Sequence, residues 1–579
     1  MALAALVALL AGLSEAGIHL FRRHVVGTFT WTSHDVLWAS PLSYAVFSIL
    51  AAGAMLAFDR VGVVRLDLRR AATVLLAGWF MSALVLLANG RLHWAAVVLL
   101  GVGLARLAVA GLPDDPGWLG RLATRALPWG GAGWVAITTL VLGGGAWAER
   151  LALDRLPTAP GGAPNVLLII LDTVRAASMS LYGYRKPTTP ELARWFADGV
   201  VFQRAMSTAP WTLPSHASFF TGRYPFELDV DWLVPLDDRY PTLAEVLAGR
   251  GYATGGFVAN HYYTTRESGL ARGFIHYDDY PRSAREIVRN SVPGQLLAQW
   301  RRSGRIRYDR ERITERRGAA ALNRRLLDWL DRQEGRPFFA FVNYFDAHRP
   351  YLAPAELKAR FVDSVPLRGE YDAAIRSIDR ELGALFAELE RRGVLRNTLV
   401  IVASDHGELF GEHGMTGHGN SLYRPVLRVP LLLRLPGRVP GGVRVVARVT
   451  LRDLPATVLE LTGAGATLPG RSLSRFWSAR RHPTEALMAE LSASPPDPDG
   501  GDGDAGAMWS IFADRYHYVL RADGAEELYD VRADSGESRN LASLAEHRAT
   551  LDLMRSALHR LLEKEPADSV FRILADSSS

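Results

Sequence analysis

The sequence predicts two structural classes in one chain: an all-α block of five membrane spans, then an α/β domain with a central parallel sheet flanked by helices. Three observations carry this. Five apolar runs of similar length fill the first 147 residues, short wholly apolar runs recur further on, and amphipathic helical patterns separate those later runs.

The apolar runs are Ala2–Phe21, Val36–Phe58, Ala71–Ala88, Leu92–Leu112 and Trp129–Trp147. Each approaches the roughly 20 residues that a helix needs to cross a bilayer. Five such runs exceed what one cleaved signal peptide explains. Only Glu15 and Arg106 interrupt them with charge, either as functional intramembrane groups or as side chains that pair or snorkel. Arg60, Arg65, Arg69 and Arg70 follow the second span, and Arg121 and Arg125 precede the fifth. The alternate loops hold only Arg22, Arg23 and Arg91. The positive-inside rule then places the N-terminus in the cytoplasm, and five crossings deliver the rest of the chain to the outside. The expected location is the inner or plasma membrane.

Residues 148–164, rich in Pro and Gly, read as a linker. Strands follow at Asn165–Leu171, Pro337–Phe345 and Thr398–Ala403, and helices at Ala319–Asp331 and Tyr371–Arg392. The catalytic domain is expected over 165–480 and a smaller α+β subdomain over 481–579. Arg282–Arg317 is arginine-dense and reads as a solvated helical face or a surface near anionic headgroups. Ser492–Gly506 reads as a disordered loop, because its aspartates lack the terminal Glu of a calcium loop.

Composition excludes several functions. With no cysteine, disulfides, thiolate metal sites and a cysteine nucleophile are absent. A net charge of +6 is small for 579 residues and gives no argument for nucleic acid.

Chemistry collects at the strand ends. The first strand ends in Asp172, the second in Asp346-Ala347-His348, the third in Asp405-His406. Open α/β sheets bind ligands at the carboxyl ends of their strands, so three such endings predict one polar site. Thr212 stands at a helix start, two residues before Pro214, where it reads as a cap with its hydroxyl at the positive helix end. Gly222 marks the stop. Asp172, Thr212, Asp405 and His406 make a four-ligand set of three oxygens and one nitrogen, which suits Zn²⁺ or Mn²⁺. A second metal involving Asp346 stays open. Coordination would activate the Thr212 hydroxyl as a nucleophile. His348 and His418 are expected to contact the anion and protonate the leaving group. His216, Asp346 and Asn260 are further candidates for substrate contact, with a structural role equally open for His216, His261 and His413.

Ordered motifs run along the chain: Leu171-Asp172-Thr173-Val174-Arg175, Leu181-Tyr182-Gly183-Tyr184, Ala209-Pro210-Trp211-Thr212-Leu213-Pro214-Ser215-His216, Tyr344-Phe345-Asp346-Ala347-His348, Ser404-Asp405-His406-Gly407-Glu408 and Gly470-Arg471-Ser472-Leu473, with Glu527-Leu528-Tyr529-Asp530 near the end. Together they resemble the sulfatase and alkaline phosphatase superfamily. The resemblance implies an alkaline-phosphatase-like sheet over roughly 165–541 and double displacement through a covalent Thr212 ester. It also shows departures. Formylglycine sulfatases carry Cys or Ser where Thr212 stands, and threonine cannot yield that aldehyde. Their metal-binding Asn is His406 here, and their active-site lysines have no counterparts, His418 lying near one. Threonine with Asp-His resembles the nucleotide pyrophosphatase/phosphodiesterases and the membrane-bound phosphoethanolamine and phosphoglycerol transferases. The implied function is a membrane-anchored, metal-dependent hydrolase or transferase acting on phosphate diesters of lipid-linked or envelope substrates. A sulfuric ester hydrolase is the alternative. An inactive membrane scaffold is the third reading, against which all four ligand candidates are present.

Overall fold

The computed structural model describes residues 1–26, 33, 35–63, 65–88, 92–113, 115, 117–280, 282–303, 316–333, 335–478, 486–493 and 506–563. The chain divides into two compact units, 1–154 with 280–315, and 155–279 with 316–579.

The first unit holds α1 (Ala2–His24), α2 (Val36–Arg60), α3 (Leu68–Ala88), α4 (Trp94–Ala110) and α5 (Trp118–Asp154). All five apolar runs are helical. Among the described residues, four helices are long and apolar enough to cross a membrane, whereas α4, at 17 residues, is shorter. α5 runs on to Asp154, so the first seven residues of the expected linker are helical. α1 and α2 approach closely because Gly12 has no Cβ; one built there would lie 2.4 Å from the Pro41 backbone.

Residues 282–303 of the arginine-dense segment belong to this unit, with Arg282, Arg285 and Arg301 exposed, while Arg316 and Arg317 belong to the second. Ala284–Arg289 and Val292–Ser303 are helices that pack on α2 and α3. Polar groups near the α1–α2 connection hold them. The Tyr44 hydroxyl donates to Glu15 at 2.6 Å, and the Val292 N–H donates to the same carboxylate oxygen at 3.2 Å. Ser43 and Ser291 hydroxyls meet at 2.6 Å, and Arg282 pairs with Asp35 at 3.0 Å. The contacts replace water for a chain segment whose backbone polar groups need partners in an apolar setting. Residues 304–315 of the segment lie outside the described residues.

The second unit is organised by a nine-stranded sheet: β1 (Asn165–Leu171), β2 (Val200–Met206), β3 (Ala253–Val258), β4 (His276–Asp278), β5 (Phe338–Tyr344), β6 (Thr398–Ala403), β7 (Arg428–Val429), β8 (Leu431–Arg434) and β9 (Val443–Thr450). The order is β9-β2-β8-β6-β1-β5-β3-β4, with β7 on β2. β1 lies parallel between β5 and β6, with Ile170 opposite both Asn343 and Ala403. The three strands expected from sequence are therefore neighbours and end together. Every residue of β5 and β6 is buried, as the unbroken apolar runs require. β8 runs antiparallel to β6 and β2, making the sheet mixed. The expected helices appear as Ala319–Leu330 and Arg368–Arg391.

The C-terminal part adds an antiparallel sheet of β10 (Leu487–Leu491), β11 (Met508–Ala513), β12 (Tyr516–Arg521) and β13 (Glu526–Asp530). Helix Arg548–Leu562 covers it through Leu551, Met554 and Leu558. Of the expected loop Ser492–Gly506, residues 494–505 lie outside the described residues.

Candidate active site

Asp172 follows β1 and Asp405-His406 follow β6, so strand adjacency alone brings them together. Each is fully buried. One ligand atom from each of Asp172, Asp405 and His406 lies within 4.8 Å of the others, making a group that can hold a metal ion. The donors are arranged for one. Asp172 Oδ2 accepts from Asn260 at 2.9 Å and Asn343 at 3.3 Å, while its Oδ1 has no hydrogen-bond partner. Asp405 Oδ1 accepts from the Thr173 and His406 N–H groups at 3.2 and 2.9 Å, while its Oδ2 has no hydrogen-bond partner. His406 Nδ1 lies 3.0 Å from the Gly407 carbonyl, an acceptor, so Nδ1 carries the proton and Nε2 offers its lone pair.

Electrostatics agree. Burial, with the neighbouring Asp405 charge, pushes Asp172 up to about 7, and burial pushes Asp405 up to about 6. Burial drops His406 to about 4, keeping it a neutral ligand. Two buried carboxylates with unmatched oxygens beside a neutral imidazole fit a divalent cation.

Thr212 is placed by α6 (Thr212–Thr221). Here the structure corrects the expected cap: Trp211 is the N-cap, and Thr212 is the first helical residue. Its hydroxyl serves the site instead, 3.3 Å from His406 Nε2 and accepting from Asn260 Nδ2 at 3.4 Å. Gly222 ends the helix with φ +74°, as expected. Gly407 permits the tight turn after His406, since a Cβ there would lie 2.1 Å from the Pro425 carbonyl oxygen.

His418 and His348 line the same place. The His418 ring centroid lies 4.5 Å from that of His406, 5.0 Å from His348 and 5.2 Å from Trp211. Burial pulls His418 down, but the Glu408 carboxylate, 2.8 Å from its Nδ1, and the more distant Asp172 and Asp405 outweigh that and hold it above its ordinary value. Burial and neighbouring His418 hold His348 well below its ordinary value, and its Nδ1 lies 2.8 Å from the Arg349 carbonyl. One histidine is thus suited to give a proton and the other to stay neutral.

Two expected substrate contacts also hold partners of their own, although His216 Nδ1 stays 3.7 Å from Asp405 Oδ2. His216 Nδ1 sits 2.8 Å from the Thr212 carbonyl, one turn back in α6, and its ring packs on Phe219 at 4.6 Å. Burial drops it to about 3, so it stays uncharged. Asp346 Oδ1 accepts the Ala319 N–H at 3.1 Å at the start of helix Ala319–Leu330, and Asp346 is absent from the ligand group among the described residues. Its preceding strand is right, but its side chain turns to the helix. Asn260, in contrast, joins Asp172 to Thr212. The sequence reading missed Asn343 and the role of Glu408. Asn343 was legible as the one amide in the apolar run Phe338–Tyr344.

The fold is an α/β sheet whose central strand ends carry a group that could hold a metal ion. The family model "Sulfatase" matches residues 164–464, and the chain belongs to the sulfatase family. It is 27% identical to steryl-sulfatase of Mus musculus over 533 residues, covering 70% of this chain and 83% of that one. Arylsulfatase of Clostridium perfringens is 23% identical, with 69% and 94% covered. Among solved structures, phosphonate monoester hydrolase of Agrobacterium radiobacter matches with TM-score 0.55 and 23% identity over 69% of this chain and 95% of that one. The protein is a sulfatase-like hydrolase of a metal-dependent family.

Proposed function

We propose that this protein is a membrane-anchored enzyme that cleaves or transfers phosphate diester groups of lipid-linked or envelope substrates through a covalent Thr212 ester. The observation that carries this reading is the Thr212 hydroxyl, 3.3 Å from His406 Nε2 beside the ligand group, which supports a role for it as the nucleophile. Asp172, Asp405, His406 and Thr212 would hold a divalent cation, Zn²⁺ or Mn²⁺, which when bound favours the Thr212 alkoxide and offsets the substrate's negative charge. Thr212 Oγ1 forms the bond to phosphorus while the bond to the leaving oxygen breaks, and His418 supplies the proton that oxygen takes up. His348, held neutral, orients the anion. Water or an acceptor hydroxyl then displaces Thr212, returning the proton to His418.

Membrane placement has its own support. Residues 284–303 dock near the α1–α2 connection, and both they and the chain beyond Asp154 continue into the second unit. Both lie on one side of a membrane only if α2 to α5 make four crossings, which favours α4 as a span despite its length. The richer arginine loops then lie on the opposite, cytoplasmic side.

The relatives named as sulfatases favour a second reading, a sulfuric ester hydrolase using the same threonine. Turnover of bis-p-nitrophenyl phosphate against p-nitrophenyl sulfate decides between them. Intact-mass detection of a phosphate adduct on Thr212 is the expected result, and sulfatase turnover well above diesterase turnover overturns the first reading.

A further inference from the structure

A narrow cleft is lined by Trp211, Pro214, Pro225, Asp231, Trp232 and Glu490 among others. Glu490 stands on β10 and is 6% exposed; its Oε2 has no hydrogen-bond partner. The Trp211 and Trp232 rings meet edge to face, with centroids 6.4 Å apart. A buried carboxylate oxygen without a donor is costly, and nothing in the proposed reaction uses Glu490. Burial, opposed by the Phe226 N–H, raises its pKa to about 8, which a cation in the cleft would reverse.

We infer that this cleft binds a primary ammonium group, held by the Glu490 and Asp231 carboxylates and the faces of Trp211 and Trp232. Two carboxylates and two indoles lining one narrow opening, with no Lys or Arg among its lining residues, select a small organic cation over an anion. Trp211 immediately precedes Thr212, and its ring also contacts His418 and Tyr263. The ammonium can be carried by the ester substrate or by a free amine; the first source rests on the phosphodiester reading above, and the binding itself does not.

The test is saturation-transfer NMR on the full chain, using ethylammonium and ethanol as probes. Wild type and Thr212→Ala should both show transfer to ethylammonium and little to ethanol, with at least tenfold weaker ethylammonium binding in Glu490→Gln. Trp232→Leu, which leaves the carboxylates in place, should weaken ethylammonium severalfold. Equal transfer to ethanol, or unchanged binding in Glu490→Gln, overturns the site. Turnover then locates the cation. A preference for p-nitrophenyl 2-aminoethyl phosphate over the propyl ester, lost in Glu490→Gln, assigns the ammonium to the substrate. Stimulation of propyl-ester turnover by ethylammonium assigns it to a free amine. Failure to cleave either ester, with binding intact, refutes the phosphodiester reading and leaves the cation site standing.

Discussion

Replacing Asp172 by Asn should stabilise the metal-free protein at alkaline pH while destroying its metal site. Asp172 is buried with one unmatched oxygen, and its pKa rises from an ordinary 3.8 to about 7. A shift of about 3 units, at 1.36 kcal/mol each, gives a ceiling of about 4 kcal/mol by which the ionised carboxylate disfavours the fold. The direction follows from linkage. Between pH 3.8 and about 7 the folded state keeps a proton that the unfolded state has released, so stability falls as pH rises and the loss is complete above about 7. An amide keeps the shape and the acceptor for Asn260 and Asn343 without the charge. Thermal unfolding of chelator-treated protein at pH 5 and pH 8 measures this. The variant should melt several degrees above wild type at pH 8, at roughly 2 °C per kcal/mol for a unit of this size, with a narrower gap at pH 5. Added Zn²⁺ or Mn²⁺ should reverse the order by stabilising wild type alone. A variant less stable than wild type at pH 8 without metal would refute the reasoning, because Asp172 would then be charge-matched by the protein itself.

Other residues give sharper functional readouts. Thr212→Ala should lower kcat at least about 10³-fold and abolish any covalent adduct by mass, while Thr212→Ser retains measurable turnover. His418→Asn should slow esters with basic leaving groups by about 10² or more and barely affect p-nitrophenyl esters, since proton donation matters only for a poor leaving group. Glu408→Gln should lower kcat about 10- to 100-fold with little change in melting temperature, because it orients the His418 ring 2.8 Å away. Gly407→Ala should destabilise the second unit by about 3 kcal/mol, read by thermal unfolding, because its Cβ would meet backbone at 2.1 Å.

Particular residues show how far sequence reasoning reaches. The runs Asn165–Leu171, Phe338–Tyr344 and Thr398–Ala403 are apolar without alternation, and burial on both sheet faces forces that pattern, so their identity as central strands was legible. Their endings were legible too, because polar side chains there have only the sheet edge to occupy. Direction was not. Asp346 and Asp172 both follow a central strand, yet Asp346 turns to the Ala319 N–H and Asp172 faces Asp405. Strand spacing cannot distinguish these outcomes, since the side-chain rotamer and the neighbouring elements decide which donor is met. Glu408 likewise gains its role only when the chain folds back to bring His418 beside it, ten residues later.

The amino-acid order alone determined the apolar helices, the central strands and the residue types able to hold a cation, because hydropathy and ligand chemistry are properties of the residues themselves; the sulfatase likeness rested on motif resemblance. Tertiary structure decided which of the candidates converge and gave Asp346 the Ala319 N–H as a partner 27 residues away. It also sent residues 284–303 back to the apolar helices and shaped the Glu490 cleft. Those outcomes depend on contacts between segments up to some 280 residues apart, such as Glu15 with Val292, where only burial geometry selects the partner.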